Sequence, residues 1–201
     1  MQAHRIDVDR HRQPDHPVET MIYHRWSPRA MSGERLSNEE LMSLFEAARW
    51  APSSFNGQPW RLVYAERDSE HWPRFFDLLS DGNRRWAGAA AVLVVVLSRT
   101  TFERNGNPSR THSYDTGAAW QNVALQGCRM GLVVHGMAGF DYDRARDVVG
   151  APQEFAVEAM IAVGRPAPVD ALAESLRERE VPSGRKPVSE LAFPGVFPRA
   201  E

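Results

Sequence analysis

From Ala87 to Leu97 the chain reads AGAAAVLVVVL, without a single polar side chain. That run constrains the fold more than any other feature. It is far shorter than the roughly 20 apolar residues that a membrane-spanning helix requires. Within it, Ala90 to Leu97 holds four valines and two leucines, and β-branched content in so short a segment favours a central strand over a helix. A chain of 201 residues and 22.7 kDa has room for one domain built around such a strand. With 24 Lys and Arg against 26 Asp and Glu, the formal charge is -2. No global basic field exists to gather nucleic acid or anionic lipid. A hydrophobic fraction of 42% with a mean hydropathy of -0.46 reads as a soluble globular chain rather than a disordered one.

One cysteine, Cys128, excludes an intrachain disulfide framework and any site built from several thiolates. The start, MQAHRIDVDRHRQPDHP, is polar where a secretory signal is apolar. Together these predict a cytoplasmic protein. Residues 1–19 lack periodicity and read as a flexible or loosely packed lead-in to a single domain over 20–201.

In LSNEEL, Ser37 caps a helix, Glu40 answers it from the third helical position, and Leu36 packs on Leu41 as a staple. Leu41, Leu44, Phe45 and Ala48 continue the buried stripe until Pro52 stops it. Trp60 to Ala65 reads as a strand, HWPRFFDLL as a short helix, and Thr116 to Met130 as a helix whose small residues predict close packing. LVVHGM and Phe155 to Val163 read as further strands. Asp143 to Val149 reads as a short helix, and Asp170 to Glu180 as a highly charged one. Six prolines between Pro166 and Pro198 accompany Val188, Leu191, Phe193, Val196 and Phe197. That tail, 165–201, is too apolar for a linker and predicts packing on another surface or subunit.

The chemistry gathers in few places. Pro52-Ser53-Ser54-Phe55-Asn56-Gly57-Gln58-Pro59-Trp60 concentrates hydroxyls and amides between a helix and a strand, as ligand contacts or as turn-makers. Arg25-Trp26-Ser27-Pro28-Arg29 places two arginines around a hydroxyl and suits a phosphate, as does Arg185-Lys186; solvated surface charge is the alternative. His24 and His135 lack metal-ligand spacing and read as packed or hydrogen-bonded histidines, and Cys128 as a core residue. No nucleophile elbow, phosphate-binding loop or dinucleotide glycine fingerprint is present.

RWSPRAM, APSSFNGQPW and GLVVHGMAGFD, in that order, resemble the flavin-dependent nitroreductase family over roughly Tyr23 to Phe197. The resemblance implies an α+β sandwich, a mostly antiparallel central sheet flanked by helices, in an intertwined homodimer with FMN at the interface and the C-terminal segment wrapping the partner. It implies that Arg25, Trp26, Ser27 and Arg29 contact the FMN phosphate and ribityl tail and that Arg185 completes the clamp. Pro52, Ser53, Ser54 and Asn56 then line the flavin of the neighbouring subunit, Gln58 contacts it or braces the loop, and Asn83 reaches its polar edge. Met137, Ala138 and Gly139 flank the ring. Some members carry a glutamate where Ala138 stands, so no carboxylate role carries over. Trp86 and Trp120 read as core residues. The implied activity is ping-pong transfer of hydride from NADH or NADPH to flavin N5 and on to a small-molecule acceptor such as a quinone or nitroaromatic. No catalytic side chain and no metal are implied. A same-fold enzyme with another small organic substrate and an FMN-storage protein are the alternatives.

Overall fold

The computed structural model describes residues 6–198. In chain order its main elements are α1 (Thr20–His24), α2 (Asn38–Arg49), β1 (Trp60–Glu66), α3 (Trp72–Phe76), α4 (Asp81–Ala87), β2 (Val92–Arg99), α5 (His112–Arg129), β3 (Val133–Met137), α6 (Tyr142–Val149), β4 (Phe155–Gly164) and α7 (Glu174–Arg177). The four strands form one sheet in the order β1-β2-β4-β3, and every pairing is antiparallel. The long apolar run becomes β2, an inner strand, as its composition predicts.

Because side chains alternate along a strand, β2 faces two cores at once. Leu93, Val95 and Leu97 join Phe75, Leu78, Trp86, Ala145 and Leu176 on one face. Val92, Val94 and Val96 join Leu41, Leu44, Ala48, Ala119 and Val123 on the other. Helices α2 and α5 therefore cover one side of the sheet, and α3, α4, α6 and α7 the other, giving the expected α+β sandwich. Each fully buried aliphatic side chain contributes roughly 1.5–3 kcal/mol of hydrophobic transfer energy.

Helix α2 starts as its sequence dictates. Ser37 Oγ accepts from Glu40 N at 3.1 Å, Glu40 Oε2 accepts from Ser37 N at 2.8 Å, and Leu36 and Leu41 are both buried. The small residues of α5 let it lie directly on β3, since a Cβ at Gly127 would collide with the Val134 side chain. The first turn of α5 is pinned to the sheet through polar groups. Fully buried Ser98 donates to Glu158 and lies 2.7 Å from His112 Nδ1, while Ser113 Oγ donates to Glu158 Oε2 at 2.7 Å. A register shift between Val96 and Leu97 turns Glu158 into that cluster.

Three elements differ from the sequence expectation. The charged helix over Asp170 to Glu180 is broken into a 3-10 turn at Val169–Ala171 and the four-residue α7. Its apolar anchors are too few for a continuous stripe, with Leu172 and Leu176 the ones that reach the core. Helix α4 was not anticipated, because its surface is polar and arginine-rich. Within the lead-in, residues 1–5 lie outside the described residues, whereas Val8–Arg10 form a 3-10 turn with Val8 buried. In the tail, Leu191, Val196 and Phe197 are exposed, Phe197 to 83%. Among the described residues no helix is long and apolar enough to cross a membrane.

Candidate functional site

Arg25 closes α1, and its extended backbone (φ -64, ψ 116) turns the following WSPR segment across the sheet toward β3. There His135 Nδ1 donates to the carbonyl of Pro28 at 2.8 Å, and its ring rests on Trp86 with centroids 4.4 Å apart. Burial pushes the His135 pKa from its ordinary 6.5 down to about 4, and the charges of Arg29 and Arg25 add to the shift. His135 is thus neutral at pH 7, a packed histidine as its sequence context predicts. Trp86 is a core residue, and Trp120 packs against the second core.

Arg25 is half-buried. Its Nη1 donates to Ser27 Oγ at 3.3 Å, while its buried Nε has no hydrogen-bond partner among the described residues. Burial lowers its pKa, and the neighbouring Arg185 lowers it further. Two guanidiniums 160 positions apart therefore lie close enough to repel each other, one with a buried donor unused among the described residues. Arg185 itself folds back on its own turn, donating to Ser183 Oγ at 3.0 Å and to the Gly184 carbonyl at 2.8 Å. Trp26 is half-buried between Arg25 and Ser27.

Arg29 behaves differently. Its guanidinium lies 3.7 Å from Glu180 Oε2 and 3.3 Å from the carbonyl of Arg179. Buried Glu180 also accepts from the backbone N–H of Arg29 at 2.6 Å and of Ala30 at 2.8 Å. Its carboxylate thereby fixes the end of the WSPR segment. Nothing in the local pattern marks Glu180 for this role, since it ends a stretch rich in charged residues.

Two residues beyond His135, β3 ends at buried Met137, and the chain turns through exposed Ala138 and Gly139. The Gly139 carbonyl accepts from Ser80 N at 3.0 Å and from Asn83 Nδ2 at 2.9 Å. A Cβ at Gly139 would stand 2.8 Å from Ser80 Oγ and 2.9 Å from Asn83 Nδ2, so any larger residue must displace the side chains that brace the turn. Asn83 thus joins the turn, as a brace on its backbone.

The segment from Pro52 to Gln58 lies elsewhere. Phe55, Asn56 and Gln58 all hold left-handed φ values, of 52, 52 and 44. Buried Asp115 on α5 accepts from Ser54 N and Thr111 Oγ1, each at 3.0 Å; Ser53 Oγ accepts from Gln58 N and Gln58 Nε2 donates to the Asn56 carbonyl, each at 3.0 Å. Pro52 and Phe55 are exposed. The strand register explains the separation. Trp60, just after the loop, pairs with Ser98, which pairs with Ala156, while Met137 pairs with Met160. Loop and turn emerge toward the same end of the sheet but on opposite edge strands, a lateral separation of roughly 14 Å at about 4.8 Å per strand step, to which the offset from Ala156 to Met160 along β4 adds. One chain gathers Arg25, Ser27 and Arg185 in one place and Asn83 with the 137–139 turn in another, joined through His135 of β3 on the Pro28 carbonyl, and sets its own 52–58 loop on the far edge strand.

The sequence profile of the nitroreductase family matches residues 22–85 and 79–165. The chain belongs to the nitroreductase family. This is a family of FMN-dependent, NAD(P)H-using oxidoreductases, and the chain is an enzyme of that type. A solved structure of an oxidoreductase containing FMN is 45% identical, covering 93% of this chain and 96% of that chain with a TM-score of 0.89. Protein DrgA of Synechocystis is 28% identical over 177 residues, 72% of this chain and 81% of its own. An FMN-dependent nitroreductase structure from Clostridium difficile R20291 shares the fold, with a TM-score of 0.61 at 20% identity over 73% of this chain and 86% of that one.

The residues of this nitroreductase fit FMN. A buried guanidinium donor without an acceptor, next to a second guanidinium, suits a phosphate dianion. The turn, packed from within by Ser80 and Asn83, leaves Ala138 and Gly139 exposed, with small residues that suit the close approach of a flat ring. Sequence reading alone missed Asp115 and Glu180, each of which acts on backbone far away in the chain.

Proposed function

We propose that this nitroreductase holds the FMN phosphate on Arg25 and Arg185 and reduces a small electrophilic acceptor, a quinone or nitroaromatic, with electrons from NADH or NADPH. The observation that carries this reading is the buried Arg25 Nε, without a partner among the described residues beside Arg185. When bound, FMN supplies the hydride chemistry, taking two electrons at N5 from the nicotinamide and giving two to the acceptor in a ping-pong sequence.

The chain's own residues bind and orient. Arg25 and Arg185 hold the phosphate through charge-assisted hydrogen bonds, and Ser27 fixes the Arg25 rotamer. Arg29 adds positive potential while Glu180 keeps it tied to the protein. Because Ser80 and Asn83 both donate to the Gly139 carbonyl and the Phe140 N–H of the same peptide donates to the Ala138 carbonyl at 3.1 Å, the turn is held in one conformation beside the ring. Met137 and Ala138 line that ring. Residues Pro52, Ser53, Ser54, Asn56 and Gln58 serve the site of a second chain, because their own site lies across the sheet from them. The exposed apolar tail covers that partner in the same homodimer, and a cytoplasmic location goes with this reading.

Purified protein is expected to carry about one FMN per chain and to sediment as a dimer. The deciding test is anaerobic mixing of the FMN-loaded protein with NADH or NADPH while the oxidised flavin band is followed. Bleaching by either donor supports the proposal. Failure with both sinks it, and retained FMN without bleaching points to storage.

A further inference from the structure

We propose that Arg12 is a positioning residue for the phosphate site: its guanidinium fork fastens the backbone of Arg25 to the turn that carries Arg185. This rests on the flavin reading above. Arg12 Nη1 donates to the carbonyls of Tyr23 at 2.7 Å and Arg25 at 2.9 Å, while Nε donates to the carbonyl of Ser183 at 2.8 Å. One rigid planar group thereby bridges two segments that meet nowhere along the chain. A second thread runs beside it, with Val188 N donating to Asp15 Oδ2 at 2.9 Å. His24 Nε2 lies 3.0 Å from Asp9 Oδ1, which holds the lead-in along α1.

The site needs such a bracket for a physical reason. Arg25 and Arg185 carry like charges and long, rotamer-rich side chains, so without a constraint they spread toward solvent. Arg12 brings a third positive charge into the same place. Burial lowers its pKa first, and the charges of Arg185 and Arg25 lower it further. A lysine would supply that charge as a single point, whereas the fork reaches three carbonyls in fixed directions. Arg12 lies in the lead-in, outside residues 22–85 and 79–165 that match the family profile.

The test is calorimetric titration of apo-protein with FMN and, separately, with riboflavin, which lacks the phosphate. Arg12→Gln and Arg12→Lys are both expected to raise the FMN Kd by about tenfold, the scale of one lost charge-assisted anchor, and to change the riboflavin Kd by less than about twofold. Asp15→Ala leaves all three guanidiniums in place and is expected to weaken FMN by about threefold with the same selectivity. It reads the bracket even where an Arg12 variant fails to fold. Wild-type FMN affinity in Arg12→Lys overturns the proposal, because charge alone then suffices. Equal losses for both ligands, or unchanged FMN affinity in Asp15→Ala and Arg12→Lys together, overturn it as well. A wild-type chain that takes up neither ligand overturns the flavin reading itself, and the bracket with it.

Discussion

The arginine bracket and the 52–58 loop solve opposite problems. At the bracket, relaxed backbone carries strained electrostatics: like charges gathered at Arg25, Arg185 and Arg12 are held by main-chain carbonyls. In the loop, strained backbone carries little charge: three left-handed non-glycine residues in four positions hang on the buried carboxylate of Asp115. Left-handed φ costs on the order of 1 kcal/mol per residue, less for Asn56 than for Phe55. The bracket therefore selects by charge and the loop by shape. Substitutions in the first should change ligand affinity more than stability, and in the second the reverse.

The largest departure from that rule is expected at His135, which lies beside the bracket yet reports on stability. Its folded pKa, about 4, lies below the ordinary 6.5, so between these values the unfolded chain binds the proton and the folded chain does not. Its contribution is complete above pH 6.5 and lost as the pH falls toward 4, with an upper limit of about 3 kcal/mol. Urea denaturation across that window should show the loss, and His135→Gln should flatten the curve. An unchanged slope in the variant would assign the loss to other groups.

Arg25→Gln comes next and obeys the rule, with an expected roughly 30-fold weaker FMN binding and a melting temperature near that of the wild type. Equal FMN and riboflavin losses would erase the distinction between the two regions. Asp115→Ala should lower stability by about 1.5 kcal/mol, since Ser54 N and Thr111 Oγ1 both lose their acceptor. In calorimetric titration its FMN and riboflavin affinities should fall together. The smallest effect is Phe55→Gly, expected to stabilise by about 0.5 kcal/mol through relief of the left-handed strain; a loss of stability would mean that its contact with Phe102, at 5.7 Å between centroids, outweighs the strain.

Wherever local pattern carries the information, the sequence is readable. The valine run predicts β2, Ser37 and Glu40 predict the start of α2, and the small residues of the helix after Asp115 predict close packing, which falls on β3. Arg25 and Asn83 enter as site candidates, Asn83 through family likeness alone. Asp115, Glu180 and Arg12 were not legible, because each acts on backbone distant in the chain: Ser54 lies 61 positions from Asp115, Arg29 151 positions from Glu180, and Ser183 171 positions from Arg12. Nothing in the spacing of common charged residues records such a pairing. Helix α4 escaped for a related reason, since tertiary packing of Trp86 and Ala87 rather than periodicity stabilises it.

The 171-position span of the Arg12 to Ser183 bond also sets an order of events. The sheet uses only residues 60–164 and can be finished while the chain is still being made. The arginines are not drawn together until Ser183 has left the ribosome and returned to the lead-in, a long loop to close. On the proposed reading, a nascent chain completes its sheet before it gains a grip on phosphate, and a protease that clips the tail near Pro182 is expected to leave a folded sheet with weakened nucleotide binding.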